Sequence, residues 1–402
     1  MKACGVVVEY NPFHNGHLLH AEQSRTITQS DVVIAVMSGN FLQRGEPALL
    51  PKKERAEMAL RSGVDIVFEL PYHFAVQHAS IFAEGAVKLL DAAGCSSICF
   101  GSENGQIDPF ISQLKLEQAH YDELQRTICN QMKLGKSYPA AAADSYGILF
   151  EHSSGLDLSQ PNNMLGYQYI TAVEKHSQMQ PYTIQRKSSD YHDESLHESF
   201  ISSATSIRKK IFEEGMQEIS QHVPQSSYEV MEKYRSENGQ LMNWDCYWSY
   251  LQHMLATSSP SSLQMYYEVE EGIEYRLIEA ALTSLTFHEF MHKVKTKRYT
   301  WTRIQRILTH LITKTTKEDI HKHHSPEYLR MLGMTAKGRE YLNTHKKEFP
   351  LPLISNLNQQ HHELCSIDIR AGKAYAFGFS DPHKRKEMIT RDFKVSPVIM
   401  KK

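Results

Sequence analysis

The chain has 402 residues, of which 41% are hydrophobic and 22% are charged, and its net charge is −2. This composition is typical of a globular protein, and the length exceeds one ordinary core, so we expect two domains. No apolar run approaches the roughly 20 residues that cross a bilayer, and Glu9 and Asn11 interrupt the apolar N-terminal run. We therefore predict no membrane contact and no signal peptide. The six scattered cysteines predict reduced thiols in the cytoplasm rather than a disulfide framework.

The first predicted element is a short apolar strand at residues 5–8, which leads directly into a turn and a helix. The turn contains Asn11-Pro12, where a strand ladder cannot continue, and it closes with His14-Asn-Gly-His17. A strand, a tight turn and a helix N-terminus form an anion-binding geometry, because free N–H groups and the helix dipole converge there. Gly16 lacks a Cβ, so a base or ribose can approach the backbone closely. The tetrapeptide alone is also compatible with a plain helix start that carries two surface histidines.

Strand-like and helical patterns alternate through the first hundred residues. Strand patterns cover residues 5–8, 31–37, 65–69 and 97–101, and helical patterns cover 17–29, 51–61 and 80–93. This alternation predicts right-handed βαβ units in a parallel sheet, whose ligands bind beyond the carboxyl ends of the strands. The His14–His17 turn, the loop at 38–47 and Gly101-Ser-Glu103 would share that edge. The loop at 38–47 is long enough to be a binding loop or lid, although a surface excursion has the same pattern.

Helical patterns at residues 114–134 and 139–150 precede Gln160-Pro-Asn-Asn163. There Asn162 or Asn163 either caps the next helix or binds a ribose or base. A strand pattern at 182–185 is followed by Arg186-Lys187 and a polar, loop-like stretch at 188–199. The segment 200–208 then begins a helix, and its hydroxyls, including Ser203 and Thr205 ahead of Arg208, either cap that helix or hold terminal phosphates.

The segment 220–243 is polar and resembles a domain boundary, and helical patterns dominate from there to about residue 345. One long helix is predicted at 270–285. The most basic stretch follows at 293–306. Because the whole chain is nearly neutral, such a local concentration of positive charge points to a binding surface. Its cations share one predicted helix face or lie just before it, opposite an apolar stripe, while aromatic rings lie nearby. This arrangement suits an RNA backbone and unpaired bases, although a solvated charged face has the same pattern. The charged end at 381–402 is predicted to be poorly ordered.

Three segments of the chain resemble one protein family. Val8-Glu-Tyr-Asn-Pro-Phe-His-Asn-Gly-His17 contains the HxGH motif of the HIGH-type nucleotidyltransferase superfamily, and its longer wording resembles the bacterial tRNA(Met) cytidine acetate ligases. Residues 160–167 and 297–306 are similar to the PNN-x-LG and KRYTxTRIxR segments of those ligases. Residues 201–208 resemble the superfamily's ISSTxIR segment, with Ala204 inserted. The resemblance extends from Gly5 to about Phe377.

This resemblance implies an α/β fold with two domains. A Rossmann-like, parallel-sheet nucleotidyltransferase (HUP) domain would occupy residues 1–220 and bind ATP. A mainly helical, tRNA-binding domain would occupy residues 221–402. The implied reaction is ATP-dependent ligation of acetate to the wobble cytidine of elongator tRNA(Met), through acetyl-adenylate, which gives N4-acetylcytidine, AMP and pyrophosphate. Mg²⁺ would accompany ATP, but no carboxylate cluster in the sequence marks a metal site.

The resemblance also implies the site residues. The catalytic residues would be His14 and His17. The ATP site would also include Val7, Val8, Glu9, Tyr10, Asn11, Pro12, Phe13, Asn15, Gly16, His20, Gly101, Asn162, Arg186, Ser203, Thr205 and Arg208. The tRNA site would include Lys295, Lys297, Arg298, Tyr299, Arg303 and Arg306.

Two alternatives compete with this hypothesis, and the sequence does not define the oligomeric state. A nucleotidyltransferase of cofactor synthesis would explain the N-terminal half but leaves the basic helical segment without a role. A non-catalytic RNA-binding protein with a degenerate nucleotide site would explain the second half, but His14, Gly16 and His17 are all intact. Acetate-dependent pyrophosphate release and ATP binding separate the three hypotheses.

Overall fold

A mostly parallel, eight-stranded sheet organises the residues that the computed structural model describes, which are 1–136, 138–150, 155–186 and 202–400. Its strands are β1 (Ala3–Val8), β2 (Val32–Ser38), β3 (Ile66–Leu70), β4 (Ser97–Ser102), β5 (Gln180–Gln185), β6 (Leu329–Met334), β7 (Leu353–Ile354) and β8 (Val398–Ile399). Their order is β5-β4-β1-β2-β3-β6-β7, with β8 beside β6, and only the β3–β6 pair among them is antiparallel. The predicted parallel sheet is confirmed. Its strand order reverses between β1 and β4, which is where ligands bind in such sheets.

Helices cover both faces of this sheet. The described α-helices of the first half are α1 (Asn15–Thr28), α2 (Lys52–Leu60), α3 (Tyr72–Ala75), α4 (Ala79–Ala92), α5 (Asp108–Ala119), α6 (Tyr121–Lys133), α7 (Tyr138–Phe150), α8 (Pro161–His176) and α9 (Ala204–Glu213). Those of the second half are α10 (Gln225–Asn238), α11 (Trp248–Thr257), α12 (Pro260–Leu263), α13 (Ile273–Thr283), α14 (Phe287–Val294), α15 (Trp301–Ile312), α16 (Lys317–His321), α17 (Ala336–His345), α18 (Ser366–Ala376) and α19 (Pro382–Lys394). Short 3₁₀ helices lie at Met216–Ile219, Trp244–Tyr247 and Gln359–His361. Within the described part of the chain, no helix is both long and apolar enough to cross a membrane.

The central strand β2 shows how the sequence produces this layered fold. Every residue of β2 is buried, and alternate side chains of a strand point to opposite faces of a sheet. One core contains Val33, Ala35 and Met37, and the other contains Val32, Ile34 and Val36. An apolar run without polar alternation is what a parallel strand with helices on both faces requires.

Two helix predictions were wrong in their extent. The predicted helix at 114–134 is two helices, α5 and α6, which meet at His120. The predicted helix at 270–285 is only α13, because Glu271 and Gly272 before it have positive φ angles. An amphipathic period cannot reveal such breaks, since the apolar spacing can continue across them. The polar stretch at 188–199 and Lys187 lie outside the described residues.

The C-terminal segment is part of the main sheet. Strand β6 pairs antiparallel with β3, and β8 pairs with β6. Helix α19 is tied to α2 by an ion pair between Asp392 Oδ1 and Lys52 Nζ at 3.0 Å. The prediction of a poorly ordered end is therefore wrong for residues 381–400, because buried ion pairs fix it, while 401–402 lie outside the described residues. The domain boundary predicted at residue 220 stays a prediction, and the sheet itself contains strands from both sides of it.

Helices α11, α13, α14 and α15 share a separate core, and α15 also contacts the loop that follows β2. Thr309 Oγ1 donates to the Gly45 carbonyl at 2.9 Å. A Cβ on Gly45 would lie 2.3 Å from the backbone nitrogen of Arg306, so only glycine permits this approach. Tyr72 Oη, from α3, lies 3.0 Å from Nδ1 of His310, which is in α15. The helical unit is thus docked on the sheet domain through α15.

This docking corrects the prediction that Arg306 lies on a solvent-exposed basic face. The Arg306 side chain is 6% exposed, and its Nε donates to Glu268 Oε1 at 2.8 Å. His310, four residues after Arg306 in α15, is also buried. The sequence shows the helical period of these residues but not their partners, which lie in other elements.

We predict that Arg306→Ala destabilises the protein by about 3–5 kcal/mol, because it leaves the Glu268 carboxylate buried without its cation. Chemical denaturation measures the change in unfolding free energy. The exposed Arg298→Ala variant is the matched control and should change it by less than about 0.5 kcal/mol. Replacing both Arg306 and Glu268 with Met should recover most of the lost stability. Equal effects of Arg306→Ala and Arg298→Ala would contradict the assignment of Arg306 to the interior.

Candidate active site

A buried guanidinium organises the edge of the sheet where β1 and β2 end. Arg55, in α2, is completely buried. Its Nη1 donates to the Glu9 carbonyl at 2.5 Å, and its Nη2 donates to the Ser38 carbonyl at 3.1 Å and also to that of Gly39. Its Nε donates to the Leu50 carbonyl at 3.0 Å. These bonds fix the chain at the ends of both strands relative to each other. The role of Arg55 was not predicted from the sequence, because its spacing does not distinguish it from Arg61, the other arginine in the helical pattern at 51–61.

The two histidines of the motif cap the helix that follows β1. His14 is the N-cap of α1, and its Nδ1 accepts a hydrogen bond from the Gly16 N–H at 3.0 Å. His17 Nδ1 accepts from the His14 N–H at 3.3 Å, which completes a reciprocal capping box. The two rings stack with their centroids 3.7 Å apart. Because both Nδ1 atoms are acceptors, each neutral ring carries its proton on Nε2 and can donate that hydrogen bond to a ligand.

The environment keeps these imidazoles neutral. Burial, with a smaller contribution from the Arg186 charge, lowers the pKa of His14 to about 3. Burial also lowers the pKa of His17 well below its usual value, with His14 and Arg186 adding to the effect. Burial, followed by the Arg186 charge, lowers the pKa of His20 to about 4. Neutral rings at a helix N-terminus bind an anion as hydrogen-bond donors rather than as a second charge.

A cation approaches the histidines from the neighbouring strands β4 and β5, since the Arg186 charge lowers the pKa values of His14, His17 and His20. Arg186 directly follows β5, and its N–H donates to the Ser102 carbonyl at 2.8 Å. Gly101 lies at the end of β4, where a Cβ would approach the Arg186 Cγ to 3.1 Å. Gly101 therefore leaves room for the Arg186 side chain to cross it. The predicted residues His14, His17, Gly101 and Arg186 thus meet where β1 and β4 lie side by side.

Glu103, a residue not assigned to the site from the sequence, holds the start of α8. Its Oε2 accepts from the Asn163 N–H at 2.7 Å. Its Oε1 accepts from Asn162 Nδ2 at 2.6 Å and from the Asn162 N–H at 3.2 Å. Of the two alternatives for Asn162 and Asn163, capping of α8 by their side chains is wrong, because the helix begins at Pro161 after Gln160, and the carboxylate of Glu103, just after β4, binds its first N–H groups. Its position directly after β4, at the carboxyl edge of the sheet, is the feature of the sequence that could have assigned Glu103 to the site.

The second predicted phosphate segment also reaches the turn after β1. Arg208 Nη1 donates to the Asn11 carbonyl at 2.9 Å, and Nη2 donates to Glu46 Oε2 at 2.9 Å. Ser203 is the N-cap of α9, where its hydroxyl accepts from the Ser206 N–H at 3.1 Å. Thr205 Oγ1 is 3.5 Å from Arg208 Nη2. The segment therefore places one guanidinium beside the turn, and Glu46 now balances its charge.

The remaining predicted residues of the β1–α1 segment support the turn. Val8, Tyr10 and Phe13 are buried in one sheet core, and Val7 packs against the other. Asn11 Oδ1 accepts from the Leu49 N–H at 2.7 Å, and Glu9 Oε1 accepts from the Gln43 N–H at 2.7 Å. Tyr10 adopts a positive φ of 50°, the Asn11-Pro12 bond is cis, and Asn15 Nδ2 donates to the Gln221 carbonyl at 2.8 Å.

The predicted tRNA residues separate into exposed and bound groups. Lys295, Lys297 and Arg298 are exposed. Arg298 and Arg303 both bind Glu271 Oε2, at 3.1 and 3.0 Å. The Tyr299 ring is buried and its hydroxyl donates to the Glu271 carbonyl at 2.6 Å, so the prediction that this ring stacks on a base is wrong.

Among the residues that the structure describes, no group of three or more His, Cys, Asp or Glu side chains is placed to hold a metal ion. Carboxylate oxygens are the ligands that Mg²⁺ prefers, and the carboxylates here are engaged by Arg208 and by backbone N–H groups. The described residues therefore do not by themselves fit a resident Mg²⁺ site, and an ion held by these residues would depend on nucleotide phosphates for its ligands.

Comparisons with known proteins agree with this geometry. The profile of the HIGH Nucleotidyl Transferase family matches residues 1–390. The tRNA(Met) cytidine acetate ligase of Bacillus velezensis is 46% identical, and the alignment covers 99% of this chain and 97% of the relative. The chain belongs to the tRNA(Met) cytidine acetate ligase family. The corresponding ligase of Bacillus subtilis is 45% identical with the same coverage of both chains.

Solved structures of the ligase family extend the likeness to the whole fold. The apo crystal structure of Thermotoga maritima TmcAL (form I) superposes with a TM-score of 0.91 at 34% identity, covering 100% of both chains. A second structure of that protein, bound with alpha-thio ATP, superposes with a TM-score of 0.90 at 34% identity and covers 99% of both chains. The likeness includes the helical second half as well as the sheet.

We predict that acid weakens the fold through the buried histidines. The pKa of folded His14, about 3, lies below the usual value of 6.5 for an unfolded histidine. The unfolded chain therefore takes up a proton first, and stability falls as the pH drops from about 6.5 towards 3. Between pH 7 and 5 this residue alone accounts for about 2 kcal/mol. Urea denaturation across this range measures the loss.

His14→Asn is the informative variant, because asparagine keeps a capping oxygen near the Nδ1 position but does not titrate. The variant should remain folded and lose less unfolding free energy than wild type on acidification. The exposed His324→Asn change is the control and should behave as wild type. An unchanged pH slope in His14→Asn would contradict the assignment.

Proposed function

We propose that the chain ligates acetate to the wobble cytidine of elongator tRNA(Met), using ATP and passing through acetyl-adenylate. The observation that supports this most directly is the stacked, neutral imidazole pair at the N-terminus of α1, beside Arg186. Such a pair binds phosphate oxygens without a covalent step. The name of the family and the nucleotide analogue bound by a similar structure support ATP as the substrate.

In the first step an acetate oxygen attacks the α-phosphorus of ATP, and the bond to the bridging oxygen of the β-phosphate breaks. Acetyl-adenylate and pyrophosphate form. His14 and His17 would donate hydrogen bonds from Nε2 to phosphate oxygens, and Arg186 would stabilise the added negative charge. Preorganised donors of this kind supply most of the catalysis in phosphoryl chemistry. Arg208 would bind the departing phosphates after exchanging Glu46 for them.

In the second step the exocyclic amine of cytidine attacks the acetyl carbonyl carbon. The bond from that carbon to the phosphate oxygen breaks, AMP leaves, and the nitrogen loses a proton. The product is N4-acetylcytidine. This step needs the tRNA to reach the same edge of the sheet, and the loop at 38–47 joins that edge to the helical unit through Gly45.

For the tRNA we propose the exposed cations before α15, which are Lys295, Lys297 and Arg298. Arg306 is excluded from this surface by its burial. The Arg303 side chain is only 21% exposed, against 57% for Arg298, so Arg303 would contribute less to this surface. Three exposed cations on one surface suit a phosphate backbone, and Arg298 would exchange Glu271 for phosphate. A helical tRNA-binding part after residue 220 remains our proposal for the second half.

We predict that His17→Ala lowers acetate-dependent pyrophosphate release by about 10²–10³-fold, as expected for the loss of one preorganised donor to the reacting phosphate. The assay supplies ATP and acetate without tRNA. The exposed His324→Ala variant is the matched control and should retain wild-type release. A melting curve verifies folding. Wild-type release by a folded His17→Ala protein would show that His17 takes no part in the reaction. If pyrophosphate release by the wild-type protein required a phosphorylated cofactor precursor instead of acetate, the protein would be a nucleotidyltransferase of cofactor synthesis.

We predict that Lys295→Ala, Lys297→Ala and Arg298→Ala together impair tRNA acetylation but leave pyrophosphate release unchanged. Each lost phosphate contact should lower the logarithmic salt dependence of tRNA binding by about 0.7 for a single strand. Binding is measured across a salt series. The control replaces three exposed cations on and after α17, Lys337, Lys346 and Lys347, with alanine. Equal tRNA binding by both triple variants would place the RNA site elsewhere.

A further inference from the structure

A cavity of about 50 Å³ lies beside β6, on the opposite side of β3 from the nucleotide turn. Its lining includes the cations Lys52, Lys53 and Arg330, together with the apolar side chains of Met331, Met388 and Val395. One water-sized sphere occupies about 10–15 Å³ on this measure, so the cavity has room for roughly four heavy atoms. It is therefore the size of a small organic ion rather than of a nucleotide.

The charges around the cavity leave an excess of one cation. Lys52 Nζ binds Glu69 Oε1 at 2.8 Å and Asp392 Oδ1 at 3.0 Å. Arg330 binds the same two carboxylates at 3.3 and 3.2 Å. These four groups neutralise one another. Arg391 also lines the cavity, and it is paired with Glu54. The amine of Lys53, the fourth cation of the lining, forms no ion pair with any carboxylate of the described residues.

The guanidinium of Arg330 also lacks a hydrogen-bond acceptor on one side. Its side chain is 7% exposed, and its Nη1 atom is buried without a hydrogen-bond partner among the described residues. A buried guanidinium N–H without an acceptor is destabilising, so an oxygen ligand that reached it would be bound favourably. The remaining carboxylate in the lining, Asp392, is already held by two cations and repels an anion less than a free one would.

We infer that this cavity binds a small monocarboxylate of acetate size. The carboxylate group would lie between Lys53 and Arg330, and the methyl group would contact Met331, Met388 and Val395. A single negative charge matches the excess of one cation. The apolar wall favours a carboxylate with a short alkyl group over inorganic phosphate, which has polar oxygens on every side.

This site is separate from the reaction centre. Strand β6 is three strands away from β1, and neighbouring strands lie about 4.8 Å apart, so the strand that carries Arg330 is roughly 14 Å from the strand that leads into the nucleotide turn. A carboxylate held there cannot attack the α-phosphorus of a nucleotide bound at His14. Its effect would be structural, since Arg330 and Asp392 connect β6 to α19. Occupancy should stabilise the attachment of the C-terminal helix to the sheet.

The choice of acetate as the probe rests on the proposed function, but the binding test does not. Acetate binding to the full chain is measured by ¹³C NMR titration without ATP or tRNA, with sodium chloride holding the ionic strength constant. Lys53→Gln removes the excess charge, and Val395→Phe fills the cavity from its partly exposed rim. Each should weaken acetate binding at least about tenfold, the equivalent of one charge-assisted hydrogen bond. The exposed Lys337→Gln variant is the matched control and should bind as wild type.

Three results would overturn the inference. They are failure of wild type to bind acetate at all, wild-type acetate binding by both Lys53→Gln and Val395→Phe, and binding of inorganic phosphate in preference to acetate. His17→Ala tests the location: retained acetate binding agrees with the cavity beside β6, and lost binding places the acetate at the nucleotide site. Acetate-dependent pyrophosphate release by wild type is measured separately, so failure of this inference and failure of the proposed function are distinguishable.

Discussion

The fold depends on the hydrogen bonds that one buried guanidinium makes to the backbone. No carboxylate of the described residues forms an ion pair with Arg55, which donates instead to the carbonyls of Glu9, Ser38, Gly39 and Leu50. Burial lowers its pKa to about 10, so it remains charged at neutral pH. Because a buried charge is tolerated only when its hydrogen-bonding capacity is met, these backbone groups must stay in place. The carboxyl edge of the sheet is thereby fixed before any ligand arrives.

The loop at 38–47 connects this fixed edge to the rest of the molecule. Gln43 binds Glu9 at the end of β1, Glu46 binds Arg208, and Gly45 accepts a hydrogen bond from α15. One short segment therefore contacts the nucleotide turn, the second phosphate segment and the helical unit. Breaking the Glu46–Arg208 ion pair would therefore also displace α15, because close-packed side chains have little room to absorb a movement of the loop.

Local patterns in the sequence predicted the sheet and the histidine turn, because both are set by residues near one another in the chain. An apolar run between turn residues specifies β2, and His14 and His17 cap their own helix. Partners from distant segments were not predictable in this way. Glu268 neutralises Arg306 from another element, and β6 joins β3 across most of the chain, so the helical period and the charged C-terminus suggested exposure where the structure has burial.

The pairing of β3 with β6 has a consequence for how the protein is made. About 260 residues separate the two strands, and at roughly 5–20 residues per second a ribosome needs about 13–50 s to synthesise them. During that interval the edge of β3 has no partner strand, and an open strand edge is a template for pairing with other chains. We therefore expect a chaperone to protect the open edge of β3 while the second half of the chain is being synthesised.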